Sequence, residues 1–325
     1  MSSPDIILSV EDLCVRYPVR RGGGFRETMM TAVDSVSFTV ERGRTLGIVG
    51  ESGCGKSSLG FAILMLLRPA AGKVVFDGSD LCALDARSLR RMRRRLQMVF
   101  QDSAASLNPR MPVGDIIAET LDIHKLFRGR ERPQRIRKLL DLVGLPSQCG
   151  ERYPHELSGG QAQRVAICRA LAVQPELIVC DEPLSALDVS IQAQIVNLLR
   201  DIQREIGLTY LFISHDLSVV RHICDRVGVM YFGRMVELAP KEQLYLRPAH
   251  PYTKALLSAV PVPDPRAERE RRRIILSGDL PNPADPPSGC GFRTRCPSAI
   301  AACADARPPP RRIGADHWAE CILLD

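Results

Sequence analysis

Near the start of the chain apolar and polar positions alternate. DIILSVEDLCVRY and TAVDSVSFTV predict two half-buried strands separated by the glycine-bearing loop VRRGGGFRETMM. RTLGIVG is instead a short apolar run, the pattern of a strand covered on both faces. It leads straight into GESGCGKSS and then into an apolar helix expected over Leu59–Leu67. Beyond about Leu107 the period lengthens to 3.6. IIAETLDIHKLF and QRIRKLLDLVGL read as amphipathic helices, punctuated by NPRMP and the Pro154 region. The α/β rhythm then returns: LIVC as a strand, VSIQAQIVNLLRDIQREIG as a long helix, TYLFIS as a strand, RVGVMYFGRMVEL as a strand pair. The elements together predict an α/β core with an α-helical insertion at about 107–165. After about Leu246 prolines and charges dominate, which argues against further packed layers until a late cysteine cluster. The expected division is 1–245 and 246–325.

Composition narrows the class. The chain has 325 residues, 45% hydrophobic and 25% charged, enough for a large buried core. No apolar run reaches the roughly 18 residues of a spanning helix. The N-terminal MSSPDIILSVEDL has no basic region followed by a long apolar segment, so no secretory signal is expected. The net charge of +7 suggests an anionic partner, but part of it is local: RSLRRMRRRL places six arginines between Arg87 and Arg95. That segment reads as the solvated face of a helix anchored by Leu84, Leu89, Met92 and Leu96; anionic lipid or nucleic acid is the alternative.

GESGCGKS fits G-x-x-x-x-G-K-[ST] at Gly50, Gly55, Lys56 and Ser57, after a strand and before a helix. That context suits a phosphate cradle: backbone N–H groups around the β-phosphate, Lys56 on the β and γ oxygens, Ser57 on Mg²⁺. In LIVCDEP, Asp181 ends a buried strand and can hold Mg²⁺ through water, while Glu182 can align water for attack on the γ-phosphate. His215 in TYLFISHD and Gln101 in MVFQD also end strands, where they can contact the γ-phosphate, the metal or the water. Tyr17 is a candidate to stack on adenine or else a packed core ring.

LSGGQ is a second anion-ready turn. Ser158 suits a helix N-cap, and Gly159 and Gly160 expose N–H groups at the positive end of the helix that follows. A nucleotide enclosed by its own phosphate loop has no use for a second turn in the same chain. The economical geometry is a head-to-tail pair in which each LSGGQ covers the ATP of the other chain.

The order GESGCGKSS, MVFQD, LSGGQ, LIVCDEP, SALD and ISHD resembles the ATP-binding subunit of an ABC transporter over roughly the first 245 residues. The resemblance implies a P-loop ATPase fold with an antiparallel β subdomain. It makes Gly50, Glu51, Ser52, Gly53, Cys54, Gly55, Lys56, Ser57 and Ser58 the Walker A loop, and Gln101 the Q-loop residue. Leu157–Gln161 becomes the signature, Asp181 the Walker B aspartate, Glu182 the catalytic base, Ser185–Asp188 the D-loop and His215 the switch histidine. QDSAASLNPRMPVGDIIAE, RPAHPYTKALLSAVP and the cysteine-bearing tail are similar to the dipeptide/oligopeptide importer ATPases, with nickel and glutathione importers as near relatives. This implies two membrane permease subunits as partners, a related second ATPase subunit or a second copy, and an external solute-binding protein. It places the chain at the cytoplasmic face of the inner membrane, with no nucleic-acid role. A soluble ABC ATPase acting on nucleic acid or ribosomes through Arg87–Arg95 is the rival; the single LSGGQ and the lack of sustained heptads speak against it.

The chain has 11 cysteines, and Cys290, Cys296, Cys303 and Cys321 follow C-x₅-C-x₆-C-x₁₇-C. Scattered thiols such as Cys168 and Cys180 inside apolar patterns argue for a reducing compartment, and so for metal over disulfides in the tail. The spacings are wider than zinc hairpins, and Pro297 directly follows Cys296, which suits a [4Fe–4S] cluster better. Zinc, with His317 as a competing ligand, and no metal are the alternatives. The resemblance implies the cluster.

Overall fold

The computed structural model describes residues 5–20, 27–261, 264–270, 272–283 and 285–324. Two compact units emerge, one made of 1–5, 40–45 and 83–213, the other of 6–39, 46–82 and 214–325. The second contains the tail together with the first strands, so compactness does not follow a division at 245/246.

In that second unit β1 (Ile6–Arg20), β2 (Glu27–Glu41, all but its last two residues), β4 (Ala71–Phe76) and β5 (Ser79–Asp80) form an antiparallel sheet in the order β2-β1-β4-β5. The loop expected at 19–30 is shorter on both sides, because the strands take Val19, Arg20 and Glu27–Met30; the remainder lies outside the described residues. Leu8 and Val10 pair with Phe76 and Val74 before a register shift between Glu11 and Cys14, where Asp12 has a φ of 45°. The bulge moves the buried set from Leu8 and Val10 to Leu13 and Val15.

The same unit holds β3 (Thr45–Val49), all but one residue of it, with β9 (Arg226–Tyr231), β10 (Arg234–Pro240), β11 (Arg311–Arg312) and β12 (Trp318–Ala319). β3 and β9 run parallel, β10 turns back on β9, and Glu237 and Leu238 of β10 pair with Ala319 and Trp318 of β12. The tail therefore adds strands to the core sheet. The proline-rich stretch also packs, contrary to expectation. Pro251 opens the helix Pro251–Ala259, His250 caps it by accepting from the Tyr252 N–H at 3.1 Å, and Tyr252, Thr253 and Ala255 are buried. A proline at the first helical position starts a helix, since its missing N–H has no partner there anyway.

The other unit is built on β6 (Leu96–Val99), β7 (Leu177–Asp181) and β8 (Thr209–Ser214), all but the last residue of β8, paired in parallel in that order. β7 is buried at every position, as its continuous apolar sequence requires. Helices Val113–Ile123, Glu131–Leu142, Gly159–Leu171 and Val189–Ile206 accompany them. The last is the clearest case of sequence dictating structure. Asp188 caps its start, Gly207 ends it at φ 68°, and Ile195, Leu199 and Ile202 bury one face.

Two expected elements change. The helix over Leu59–Leu67 is Lys56–Ile63, and the apolar residues after it turn away through Met65 at φ 52°, ahead of Pro69. The arginine-rich helix is only Ala86–Met92, and Leu96 belongs to β6 rather than to a helix face. Arg95 grips Glu176 with both arms of its guanidinium, and Arg94 donates to the Val173 carbonyl at 3.3 Å, so these two arginines serve the fold. Among the described residues no helix is long and apolar enough to cross a membrane.

Candidate functional site

The phosphate loop follows β3 because backbone alone fits where it passes. A Cβ on Gly50 would stand 2.2 Å from the Met230 carbonyl oxygen, and one on Gly55 2.1 Å from that of Ala32. Gly55 also caps the helix Lys56–Ile63 at a φ of 104°, which only glycine adopts without strain. Lys56 is 4% exposed and donates from Nζ to the Gly50 and Glu51 carbonyls, each at 2.9 Å. The ammonium thus lies inside the curl of the loop, where a phosphate would exchange with the two carbonyls. Ser52 and Gly53 form the exposed rim, while Cys54 is buried, and that burial raises its thiol pKa. The Tyr17 hydroxyl donates to Ser58 Oγ at 3.1 Å, so the half-buried ring is fastened to the helix just behind the loop. Ser57 is the second residue of that helix.

At the carboxyl ends of the parallel strands β6 and β7 stand Gln101 and Asp181–Glu182, the edge where ligands bind in open α/β sheets. Gln101 Nε2 donates to Glu182 Oε2 at 2.9 Å. Asp181 is 3% exposed, whereas Glu182 is half-buried and sits at a φ of 43°, a left-handed conformation costly for a non-glycine residue. Its N–H donates to the Ile213 carbonyl at 2.9 Å, which holds that turn. His215 directly follows β8 and is exposed.

The LSGGQ turn opens the helix Gly159–Leu171 through a reciprocal capping box. Ser158 Oγ accepts from the Gln161 N–H at 3.3 Å and Gln161 Oε1 accepts from the Ser158 N–H at 3.1 Å. Gly159 and Gly160 occupy the first turn, whose N–H groups have no acceptor within the helix. Ser158 and Gly159 are exposed. Asp188 accepts from the Ile191 N–H at 3.0 Å, and this bond is the chief reason its carboxyl lies below the usual range.

Sequence reasoning missed the staples between the segment after Gln101 and the signature helix. Ser103 Oγ bonds buried Gln163 Oε1, and Arg169 donates to the Ser106 carbonyl at 2.5 Å. It also missed two tail residues on the phosphate loop. The Glu51 N–H donates to Tyr252 Oη at 2.9 Å, and Arg295 forks onto the Glu51 carboxylate at 2.7 and 3.2 Å. No motif announces Arg295, since 244 positions separate it from Glu51.

In the tail, Cys290, Cys296, Cys303 and Cys321 line a single cavity with Phe292, Pro251 and Leu323. Yet among the described residues no three His, Cys, Asp or Glu side chains are arranged to hold one metal ion. His317 Nε2 bonds the fully buried Glu237 Oε1 at 2.8 Å.

A family model described as ABC transporter matches residues 33–185, and one described as oligopeptide/dipeptide transporter, C-terminal region, matches 236–303. The chain belongs to the ABC transporter ATP-binding family. It is 54% identical to a putative peptide import ATP-binding protein of Brucella ovis, over 97% of both chains. It is 51% identical to the oligopeptide transport ATP-binding protein AppF of Bacillus subtilis, over 99% of this chain and 98% of the relative. A dimeric, post-hydrolysis structure of an ATP-binding cassette with ADP and Pi superposes with a TM-score of 0.64 at 29% identity, covering 72% of this chain and 98% of that one. The α/β P-loop ATPase fold read from the sequence is thus the fold of its relatives, and the ABC ATPase is an enzyme that hydrolyses ATP in transport.

Proposed function

We infer that this ABC ATPase is the ATP-hydrolysing subunit of a peptide importer. The observation that carries the mechanism is the signature turn, whose side chains satisfy one another in a capping box while Ser158 and Gly159 face outward. An anion site completed by a second chain has this form: rigid before the partner arrives and accessible to it. The cassette similar to this chain is dimeric with ADP and Pi bound, which supports pairing of two chains.

In this reading Gly50–Ser58 encloses the phosphates and Lys56 leaves its carbonyl partners for the β and γ oxygens. Ser57 and Asp181 offer a hydroxyl and a buried carboxylate, the hard oxygen donors that Mg²⁺ prefers. The metal would neutralise phosphate charge. Glu182 orients the attacking water, and Gln101, bonded to it at 2.9 Å, keeps the carboxylate pointed. His215 and Asp188 contribute from the ends of their own elements, and Tyr17 lies beside the loop for the base. Closing two chains over two nucleotides takes about 5.5 kcal/mol of differential binding, or about 2.8 per site. Charge-assisted bonds to a γ-phosphate held from two sides suffice. The staples Ser103–Gln163 and Arg169–Ser106 let the Q-loop segment and the signature helix move together, so QDSAASLNPRM is the docking region we assign to the permeases.

The partners are two membrane permeases, with a related ATPase or a second copy completing the pair and an external binding protein choosing the peptide. The names of the relatives support peptide cargo, and the location we propose is the cytoplasmic face of the inner membrane. The [4Fe–4S] cluster rests on the wide cysteine spacing and on the four thiols sharing one cavity, while among the described residues no three ligand side chains are arranged to hold one metal ion. When bound, the cluster would cross-link Cys290, Cys296, Cys303 and Cys321, and an anaerobically purified chain lacking iron and absorbance near 400 nm removes it. The deciding experiment for function is Glu182→Gln with ATP. The variant should retain nucleotide, form pairs and co-purify with integral membrane proteins, while normal hydrolysis would overturn the assigned base.

A further inference from the structure

Glu51 lies inside the phosphate loop, and an unpaired carboxylate there would oppose an incoming polyphosphate. The structure neutralises it from the tail. Arg295, 9% exposed at its side chain, donates from Nη1 to Glu51 Oε2 at 2.7 Å and from Nη2 to Oε1 at 3.2 Å. A second bolt holds the same residue by its backbone, the Glu51 N–H donating to Tyr252 Oη at 2.9 Å. The Gly50 carbonyl, in the same peptide unit as that N–H, and the Glu51 carbonyl each receive Lys56 Nζ at 2.9 Å, so the two tail residues hold the residue on which the phosphate-binding lysine is parked.

Both bolts are seated by the cysteine lobe. Arg295 ends a turn that begins at Cys290: the Arg293 N–H donates to the Cys290 carbonyl at 3.1 Å and the Arg295 N–H to that of Phe292 at 3.0 Å. Cys290 is anchored by its own N–H on the Cys303 carbonyl at 2.8 Å, and Cys296 follows Arg295 directly. Phe292, 2% exposed, lines the cysteine cavity and packs its ring against Tyr231 at 5.0 Å and Tyr252 at 5.4 Å. Tyr231 and Tyr252 are themselves edge to face at 4.7 Å. One rigid aromatic group therefore connects the four thiols to both contacts on Glu51.

We propose that Arg295 and Tyr252 are positioning residues of the ATP site, through which the cysteine lobe neutralises and fixes Glu51 and so sets nucleotide affinity. The inference rests on the ATPase reading above. It separates affinity from chemistry: Arg295 touches no group assigned to the hydrolytic step, so its loss acts on KM for ATP and leaves kcat at saturation nearly intact.

The test is a titration of the full-length chain with a fluorescent ATP analogue, beside steady-state hydrolysis in the assembled complex. Arg295→Ala should raise Kd and KM about tenfold, the scale of one charge-assisted fork, with kcat changed less than about twofold. Arg295→Lys, which keeps the charge and loses the fork, should recover most of the affinity, and it carries the test if the alanine variant fails to fold. The effect must also depend on Glu51: in a Glu51→Gln background Arg295→Ala should add less than about a twofold change. Unchanged affinity in Arg295→Ala, or an equal loss with and without the Glu51 carboxylate, overturns the proposal. Failure of the wild-type chain to bind the analogue at all would instead overturn the ATPase reading, so the two failures are distinguishable.

Discussion

Two glycine-bearing turns in this molecule open helices, and they are built differently. The loop before Lys56–Ile63 is sealed. Gly50 and Gly55 press on backbone carbonyls, Lys56 is 4% exposed, and no side chain caps the helix. The turn before Gly159–Leu171 is open, with Ser158 and Gln161 capping each other and the first glycine facing solvent. A sealed loop is shaped for a ligand its own chain encloses, and Lys56 waits there on carbonyls that phosphate can replace. An open turn has nothing of its own chain to enclose. In the proposed reading the contrast separates capture of the nucleotide from sensing of it by a second chain.

The contrast can be broken most severely at Lys56. Lys56→Ala removes the only ammonium in the sealed loop, and nucleotide affinity should fall about a hundredfold or more in equilibrium titration. Retained affinity would mean that the loop does not grip through this residue. Glu182→Gln comes next: turnover should fall about a hundredfold to ten-thousandfold, the usual range for a lost general base, while ATP-dependent pairing rises. Light scattering with ATP and a phosphate-release assay read the two effects together. Ser158→Ala tests the open turn. Losing the cap costs about 1 kcal/mol of helix stability, and pairing in ATP should weaken about tenfold while a single chain still takes up nucleotide. Equal pairing in variant and wild type would leave the turn without a contact role.

The smallest effect lies away from both turns, at Glu176, whose carboxyl is held below its ordinary range chiefly by its bond from Arg95, with Arg42 adding at 2.7 Å. Because the folded state binds this proton less readily than the unfolded chain, the contribution is complete above about pH 4.5. It fades as the pH drops through the depressed folded value. Urea unfolding between pH 3 and 6 should show a shallower acid slope in Glu176→Gln than in the wild type. Identical slopes would remove the pair from the stability account.

Sequence alone went furthest where chemistry is local. The phosphate loop, the strand that carries Asp181 and the Asp188-to-Gly207 helix are legible because steric and capping requirements act over a few positions. The fully buried β7 follows from its unbroken apolar run. Where elements end was less legible: the apolar run after Ile63 leaves the helix, and Pro251 begins a helix where proline density suggested none.

What the tertiary structure decided is who meets whom across long stretches of chain. Gln101 reaches Glu182 over 81 positions, His317 closes on Glu237 over 80, and Arg295 on Glu51 across 244. Periodicity and spacing carry no information about such pairs, because they depend on how separate strands stack and on which charges burial forces together. The sequence pointed to candidate nucleotide residues; folding brought a tail arginine onto one of them, where the part-buried Glu51 carboxylate meets a cation that no spacing foretold.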